Sequence, residues 1–262
     1  MNNQDDLFIS MRKTLTFIKF ITLVSLISIL TACTQLGKTS PTIEPTSSRL
    51  QTTEPIETNL APESSATPEF ASTTTAQAES MKQDLQKLLD KDLIQDVNGK
   101  YYRVQDLTGE WAKLGYYYWW PLDRKPTNFA IRADVKWEIA SSSSNLSKAG
   151  CGFVFHEQGP DNLHFSFLSL DGFVRNIRME KRVFTDLEAN YAGKFKFPAD
   201  SAKLMLVVEN QWITFLVNNI VVIHIQDSHL ASGGLSMAVA SGTNTGFGTR
   251  CQFQNVELWE FD

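Results

Sequence analysis

The segment Phe129-Ala-Ile-Arg-Ala-Asp-Val-Lys-Trp-Glu-Ile139 limits the possible folds more than any other part of the chain. Phe129, Ile131, Ala133, Val135, Trp137 and Ile139 fall on one phase, and Arg132, Asp134, Lys136 and Glu138 on the other. A period of two with one apolar and one charged phase predicts a strand with one face in a core and the other in water, the signature of an antiparallel sheet.

The segment Gly150–Gly172 supplies the centre of that sheet. Two runs rich in Phe, Val and Leu flank Gln158-Gly159-Pro160-Asp161-Asn162, and Asp171-Gly172 then leads into Phe173–Met179. Gly, Pro, Asp and Asn are turn formers, so three strands joined by two turns are expected. Leu204–Val208, Trp212–Val217 and Ile220–Ile225 read as a meander, because the breaks at Asn210-Gln211 and Asn218-Asn219 tolerate positive φ. Tyr101–Val104 and Leu235–Val239 are further strands. Cys251–Trp259 is the last, with a slip of phase near Asn255 that predicts a bulge. Glu180–Ala202 is more polar, with Tyr191, Phe195 and Phe197 as its apolar anchors.

These strands occupy residues 99–262. Before them, Leu85, Leu88, Leu89 and Leu93 recur at helical spacing after Ser80, which predicts a short helix over 81–98, packed as a lid on the edge of the sandwich. Residues 33–80 are mostly Thr, Ser, Pro, Glu and Ala. Pro41, Pro45, Pro55, Pro62 and Pro68 oppose helix, and too little apolar surface exists to offset the entropy of ordering. A disordered tether with a span of roughly 40 Å is expected there. The net charge of −5, without a clustered basic stripe, argues against a nucleic-acid partner. A monomer is expected.

At the N-terminus, Arg12, Lys13 and Lys19 precede the apolar run Phe20–Leu30, which ends at Thr31-Ala32-Cys33. A positive head, a short apolar core and small residues at its end read as a secretory signal over 1–32. Leu30-Thr31-Ala32-Cys33 resembles the lipobox of bacterial lipoproteins. That resemblance implies cleavage between Ala32 and Cys33 and lipid on Cys33, holding the protein on a membrane at the outer face of the bacterial cell envelope.

Tyr116-Tyr-Tyr-Trp-Trp-Pro121 is the densest aromatic run. Alternation puts Tyr116, Tyr118 and Trp120 on one face and Tyr117 with Trp119 on the other. Flat rings suit the apolar faces of sugars, and they equally suit the end of a core. Trp119 and Trp120 are the leading candidate ligand contacts, with His156, His164 and Arg178 as polar companions.

Ala133-Asp-Val-Lys-Trp137, the Gly152-Phe-Val-Phe155 and Phe165-Ser-Phe-Leu-Ser-Leu-Asp-Gly172 pair, Val217-Asn-Asn219 and Phe253-Gln-Asn-Val-Glu-Leu-Trp259 together resemble a concanavalin-like lectin/glucanase jelly roll. The order is similar to laminin-G-like modules and to the 3-keto-disaccharide-hydrolase-like domains of bacterial surface lipoproteins. The implied fold is all-β, a two-sheet antiparallel jelly-roll sandwich. The hydrolases of family 16 with this fold carry Glu-x-Asp-x-Glu or a one-residue-longer form, and the chain has neither; Asp186-Leu-Glu188 lacks the leading Glu. No Gly-x-Ser-x-Gly elbow and no His-Glu-x-x-His occurs, and His156, His164, His224 and His229 show no metal spacing. No catalytic residue, metal site or cofactor is assigned; calcium ligands would leave little sequence trace. The expected function is a non-catalytic module for carbohydrate, with a sugar hydrolase or a structural envelope protein as alternatives.

With Cys33 taken by lipid, Cys151 and Cys251 are the one remaining pair in an exported domain. Each shares its face with Phe, and in a jelly roll the last strand commonly returns beside an earlier one. A disulfide is therefore expected, against the alternative of two separate buried thiols.

Overall fold

A computed structural model describes residues 68–262, with side chains from residue 75 onward. The signal segment 1–32, Ala32, Cys33 and the tether up to residue 67 lie outside the described residues. Two antiparallel sheets face each other across one core. The chain runs through α1 (Pro68–Leu89), β1 (Gly99–Arg103), β2 (Leu107–Trp111), β3 (Tyr117–Pro121), β4 (Phe129–Ile139), a 3₁₀ turn (Leu146–Lys148) and β5 (Gly150–Glu157). It continues through β6 (Asn162–Ser169), β7 (Phe173–Glu180), β8 (Val183–Tyr191), β9 (Ala199–Glu209), β10 (Trp212–Val217), β11 (Ile220–Gln226), β12 (Gly234–Ala240) and β13 (Thr249–Phe261).

The seven-stranded sheet has the order β1-β13-β4-β9-β10-β11, with β2 also paired to β13, and the six-stranded sheet has the order β3-β12-β5-β6-β7-β8. This is the two-sheet antiparallel sandwich that the strand pattern predicts. β2 and β8 are strands that the sequence reading does not contain. Asn255 takes φ 51 and the register of β13 against β4 shifts between Gln254 and Glu257, which is the bulge expected there. The bulge divides β13 in two: residues 257–261 pair with β1 and residues 249–253 pair with β2.

The inner faces interdigitate through Phe129, Ile131 and Val135 of β4, Phe153 and Phe155 of β5, Phe215 of β10 and Phe253 of β13, all fully buried. Cys151 of β5 and Cys251 of β13 join the two sheets as a disulfide, with Cα atoms 6.0 Å apart. It closes a loop across 100 residues, which the chain-entropy description values at about 4.7 kcal/mol.

The helix differs from the expectation in extent and in place. It starts at Pro68, before the expected 81, and ends at Leu89 instead of 98. Proline lacks an N–H that the first helical turn would leave unpaired in any case, so Pro68 opens the helix where the sequence reading takes it as a breaker. At the other end Asp92 adopts φ 56, the Leu93 N–H donates to Leu88 O and the Asp92 N–H donates to Leu89 O. Those two bonds are a Schellman stop.

α1 covers the outer face of the seven-stranded sheet, not its edge. Met81, Leu85 and Leu88, spaced along one stripe, pack with Ile94 on Ala130, Met205, Val207, Leu216 and Trp259. Burying each such side chain is worth about 1.5–3 kcal/mol. The cover explains why the first half of β4 is buried on both faces despite its alternation. Arg132, expected in water, lies under the helix. Its Nε donates to Glu257, its Nη1 donates to Asp84 Oδ2 at 2.7 Å, and Tyr101 Oη donates to Glu257 Oε1 at 2.9 Å. Burial alone would raise the Asp84 carboxyl, but Lys87, Lys203 and Arg132 around it hold it below the usual range. Among the described residues no helix is long and apolar enough to cross a membrane.

Candidate functional site

The outer face of the six-stranded sheet carries rings and is covered by no other element of the described chain. Cys151, Phe153 and Phe155 take the inner phase of β5, so Gly152 and Val154 face out. The pairing Gly152–Phe167 and Val154–Phe165 carries the outward phase onto β6, and Phe165–Ile177 and Leu163–Met179 carry it onto β7. Leu163, Phe165 and Phe167 therefore gather on the outer face with Tyr117 and Trp119 of β3. Phe165 stacks on Phe167 with ring centres 4.4 Å apart, Tyr117 stacks on Phe165 at 4.8 Å, and Phe184 of β8 meets Tyr117 edge-on at 6.4 Å. Gly152 is required there: a Cβ would lie 2.1 Å from Ser166 O and 2.5 Å from Phe167 Cα.

These rings line a groove of about 370 Å³. Phe165 and Phe167 form its floor, Tyr116 and Phe184 stand exposed at its walls, and its polar rim is Lys148, Arg175 and Asp186. Arg175 is fixed by the turn beside it, since its Nη2 meets Asp171 Oδ2 at 2.7 Å and its Nε donates to Ser169 Oγ at 3.1 Å. Lys148 and Asp186 make no ion pair with any described residue, so both are free to bond a ligand. Burial, with the nearby Glu157 carboxylate, pushes the Tyr117 hydroxyl up to about 12, so it stays a neutral donor at physiological pH. Such a groove offers ring faces for stacking, one cationic donor, one carboxylate acceptor and a guanidinium held in place.

The five candidates from the sequence do not form one site. Trp119 lies on the open face, its Nε1 donating to Glu157 Oε2 at 3.0 Å. Trp120 points the other way, packing against the main core and lining a separate pocket of about 610 Å³ at the edge of the sandwich. His156, His164 and Arg178, expected as polar companions of the tryptophans, are turned away from the groove. His164 and Arg178 pair across β6 and β7 on the inner phase. His164 is fully buried and stacks on Phe155 at 4.9 Å. Arg178 Nη1 donates to Asp227 Oδ2, and His164 Nε2 lies 3.8 Å from the same oxygen, beyond hydrogen-bond reach. Burial pushes the His164 imidazole down to about 4, against the pull of Asp227. His156, at φ 50, packs edge-on against Phe129 and Phe155, with Nε2 3.1 Å from Thr127 O, and burial lowers it too.

The groove residues Phe165, Phe167, Arg175, Phe184 and Asp186 are absent from the sequence candidates. Register would have placed the first two: once Cys151 and Phe153 face inward, the hairpin at 158–161 turns Phe165 and Phe167 outward. Among the described residues no cluster of three or more His, Cys, Asp or Glu could hold a metal ion.

No protein-family model matches the chain, and no curated protein matches it. Solved structures do. A carbohydrate binding module, CBM66, from Bacillus subtilis is 12% identical, with a TM-score of 0.45 over 61% of this chain and 95% of that one. A beta-fructofuranosidase from Aspergillus kawachii, complexed with glycerol, is 13% identical, with a TM-score of 0.41 over 62% of this chain and 27% of that one. Sheep galectin-11, also in complex with glycerol, is 13% identical, with a TM-score of 0.36 over 56% of this chain and 98% of that one. Similarity of this degree between two-sheet sandwiches does not carry binding or activity from one to another.

Proposed function

We propose that residues 99–262 are a non-catalytic carbohydrate-binding module, presented at the bacterial cell surface by lipid on Cys33. The groove on the uncovered face of the six-stranded sheet supports this reading: exposed and half-buried rings beside a few convergent polar groups are what a sugar ring with hydroxyls at its rim requires. Its lining holds one carboxylate, Asp186, whereas glycoside hydrolysis generally uses two that face each other across the scissile bond. That favours binding over hydrolysis.

A glycan array with the full-length protein tests the reading. Wild type binds at least one class of glycan and Phe184→Ala loses about fivefold in affinity. A wild type that binds nothing on a broad array, or a variant that binds as wild type does, defeats it. The anchor is tested separately by fatty-acid labelling, which marks wild type and leaves Cys33→Ser unlabelled.

A further inference from the structure

We propose that the edge pocket beneath Trp120 is a second carbohydrate site, so that the aromatic run of β3 serves two recognition surfaces. The ligand class rests on the carbohydrate reading of the groove; the location rests on the pocket's own geometry. Alternation along β3 sends Tyr117 and Trp119 to the open face and Trp120 to the opposite one. Trp120 and Met237 of β12, which pair across the sheet, line the pocket together. At about 610 Å³ it falls within the roughly 300–1,000 Å³ of small-molecule sites.

The pocket is built, not incidental. Gly109 makes room for the indole: a Cβ there would lie 2.6 Å from the outer ring atoms of Trp120. The short step between β1 and β2 walls one side, held against the β13 bulge by Arg103 Nη1, which donates to Val104 O and Val256 O at 2.6 Å each. Arg124 caps Tyr102, its guanidinium 3.7 Å from the ring centre.

Its electrostatics select the ligand. Arg103 is neutralised by Asp106 at 2.8 Å and Arg124 by Glu260 at 2.8 Å, so neither cation is left for a phosphate or carboxylate. The Gln105 amide, the Asp123 carboxylate and the Trp120 indole N–H have no partner among the described residues. A ring face with unengaged donors and acceptors and no spare positive charge fits a neutral polyhydroxylated ligand. Two such sites on one module would grip a polysaccharide at two points and raise its apparent affinity over that of a short oligosaccharide.

Methionine-methyl NMR of the full-length protein separates the two sites, because Met237 lines the pocket and Met179 lies against the Tyr117 hydroxyl, 3.8 Å away, on the groove face. Cellohexaose, xylohexaose, mannohexaose and levan oligosaccharides are titrated in turn. The expected result is that one probe shifts Met237, and that Gln105→Trp, which fills the pocket, weakens that response at least tenfold while Met179 titrates as before. Should Gln105→Trp not fold, Arg124→Gln is expected to weaken the Met237 response at least threefold. Shifts at Met179 alone overturn the second site and leave the groove standing. Shifts at Met237 alone keep the pocket and remove the groove reading, and silence at both for every probe removes both.

Discussion

The two outer faces of the sandwich are built from similar material and finished differently. On the seven-stranded sheet, Ala130, Met205, Val207, Leu216 and Trp259 lie under α1, and the buried cation Arg132 is matched by Glu257 and Asp84. On the six-stranded sheet, Val154, Leu163, Phe165 and Phe167 are shielded by nothing but neighbouring rings and the walls of the groove. An antiparallel sheet ordinarily shows water a polar face. Both faces break that rule, but one is closed by a helix while the other leaves Tyr116 and Phe184 more than half exposed. The contrast separates a face closed by a helix from the face that carries the proposed ligand groove.

The largest expected effect is one the two faces share. Replacing Cys151 and Cys251 by Ala severs the link between the sheets and should lower unfolding free energy by about 4.7 kcal/mol in urea melts. A loss below about 1 kcal/mol, or two free thiols in the denatured, unreduced protein, would refute the link.

Next is the closed face. Arg132→Ala takes from Glu257 its cation beneath the helix, while Asp84 keeps Lys87 and Lys203, and a broken buried pair costs about 3–5 kcal/mol. A change within 0.5 kcal/mol, the ordinary range for exposed charges, would mean that the helix does not seal this face.

A third effect belongs to the inner side of the six-stranded sheet. His164 is neutral in the folded protein down to about pH 4, whereas the unfolded chain takes up a proton as pH falls through 6.5. The unfolded state thus binds more protons between those values, and stability should fall across that window, by on the order of 3 kcal/mol. His164→Phe should flatten the decline measured by urea melts from pH 7 to 4. An unchanged slope would show that His164 is not its source.

The smallest stability effect marks the open face. Phe184 is 58% exposed, so Phe184→Ala should change stability by under about 0.5 kcal/mol while weakening glycan binding by about 1 kcal/mol. Calorimetry and melts on the same variant check both numbers. If the variant melts early and binds normally, the ring belongs to the core.

Much of the frame was legible because alternation and turn chemistry are local. Phe129–Ile139 is β4 residue for residue, and Asn255 bulges where the phase slips. β8 was not legible, because Val183-Phe-Thr-Asp-Leu-Glu-Ala-Asn-Tyr191 is an exposed edge strand with no face to bury. The extent of α1 was missed because Pro68 can equally open or end a helix. Of the groove only the aromatic run was legible: its Tyr116 and Tyr117 line it, whereas Trp119 lies on the same face outside the lining. Leu163, Phe165 and Phe167 look like inner-face residues and His164 and Ser166 like outer-face ones, yet the pairing with β5 sends the first three to the outer face and the other two inward, all five buried. A local pattern cannot show that, because it depends on which phase of a neighbouring strand carries the disulfide.

The most direct test of the difference between the faces is hydrogen–deuterium exchange of the full-length protein with and without the glycan that the array selects. Added protection should appear over residues 117–121 and 173–191, around the groove, while residues 81–94 in and just after the helix and 204–209 beneath it should exchange as before. Protection confined to 81–94 and 204–209 would place the ligand on the closed face and contradict the assignment.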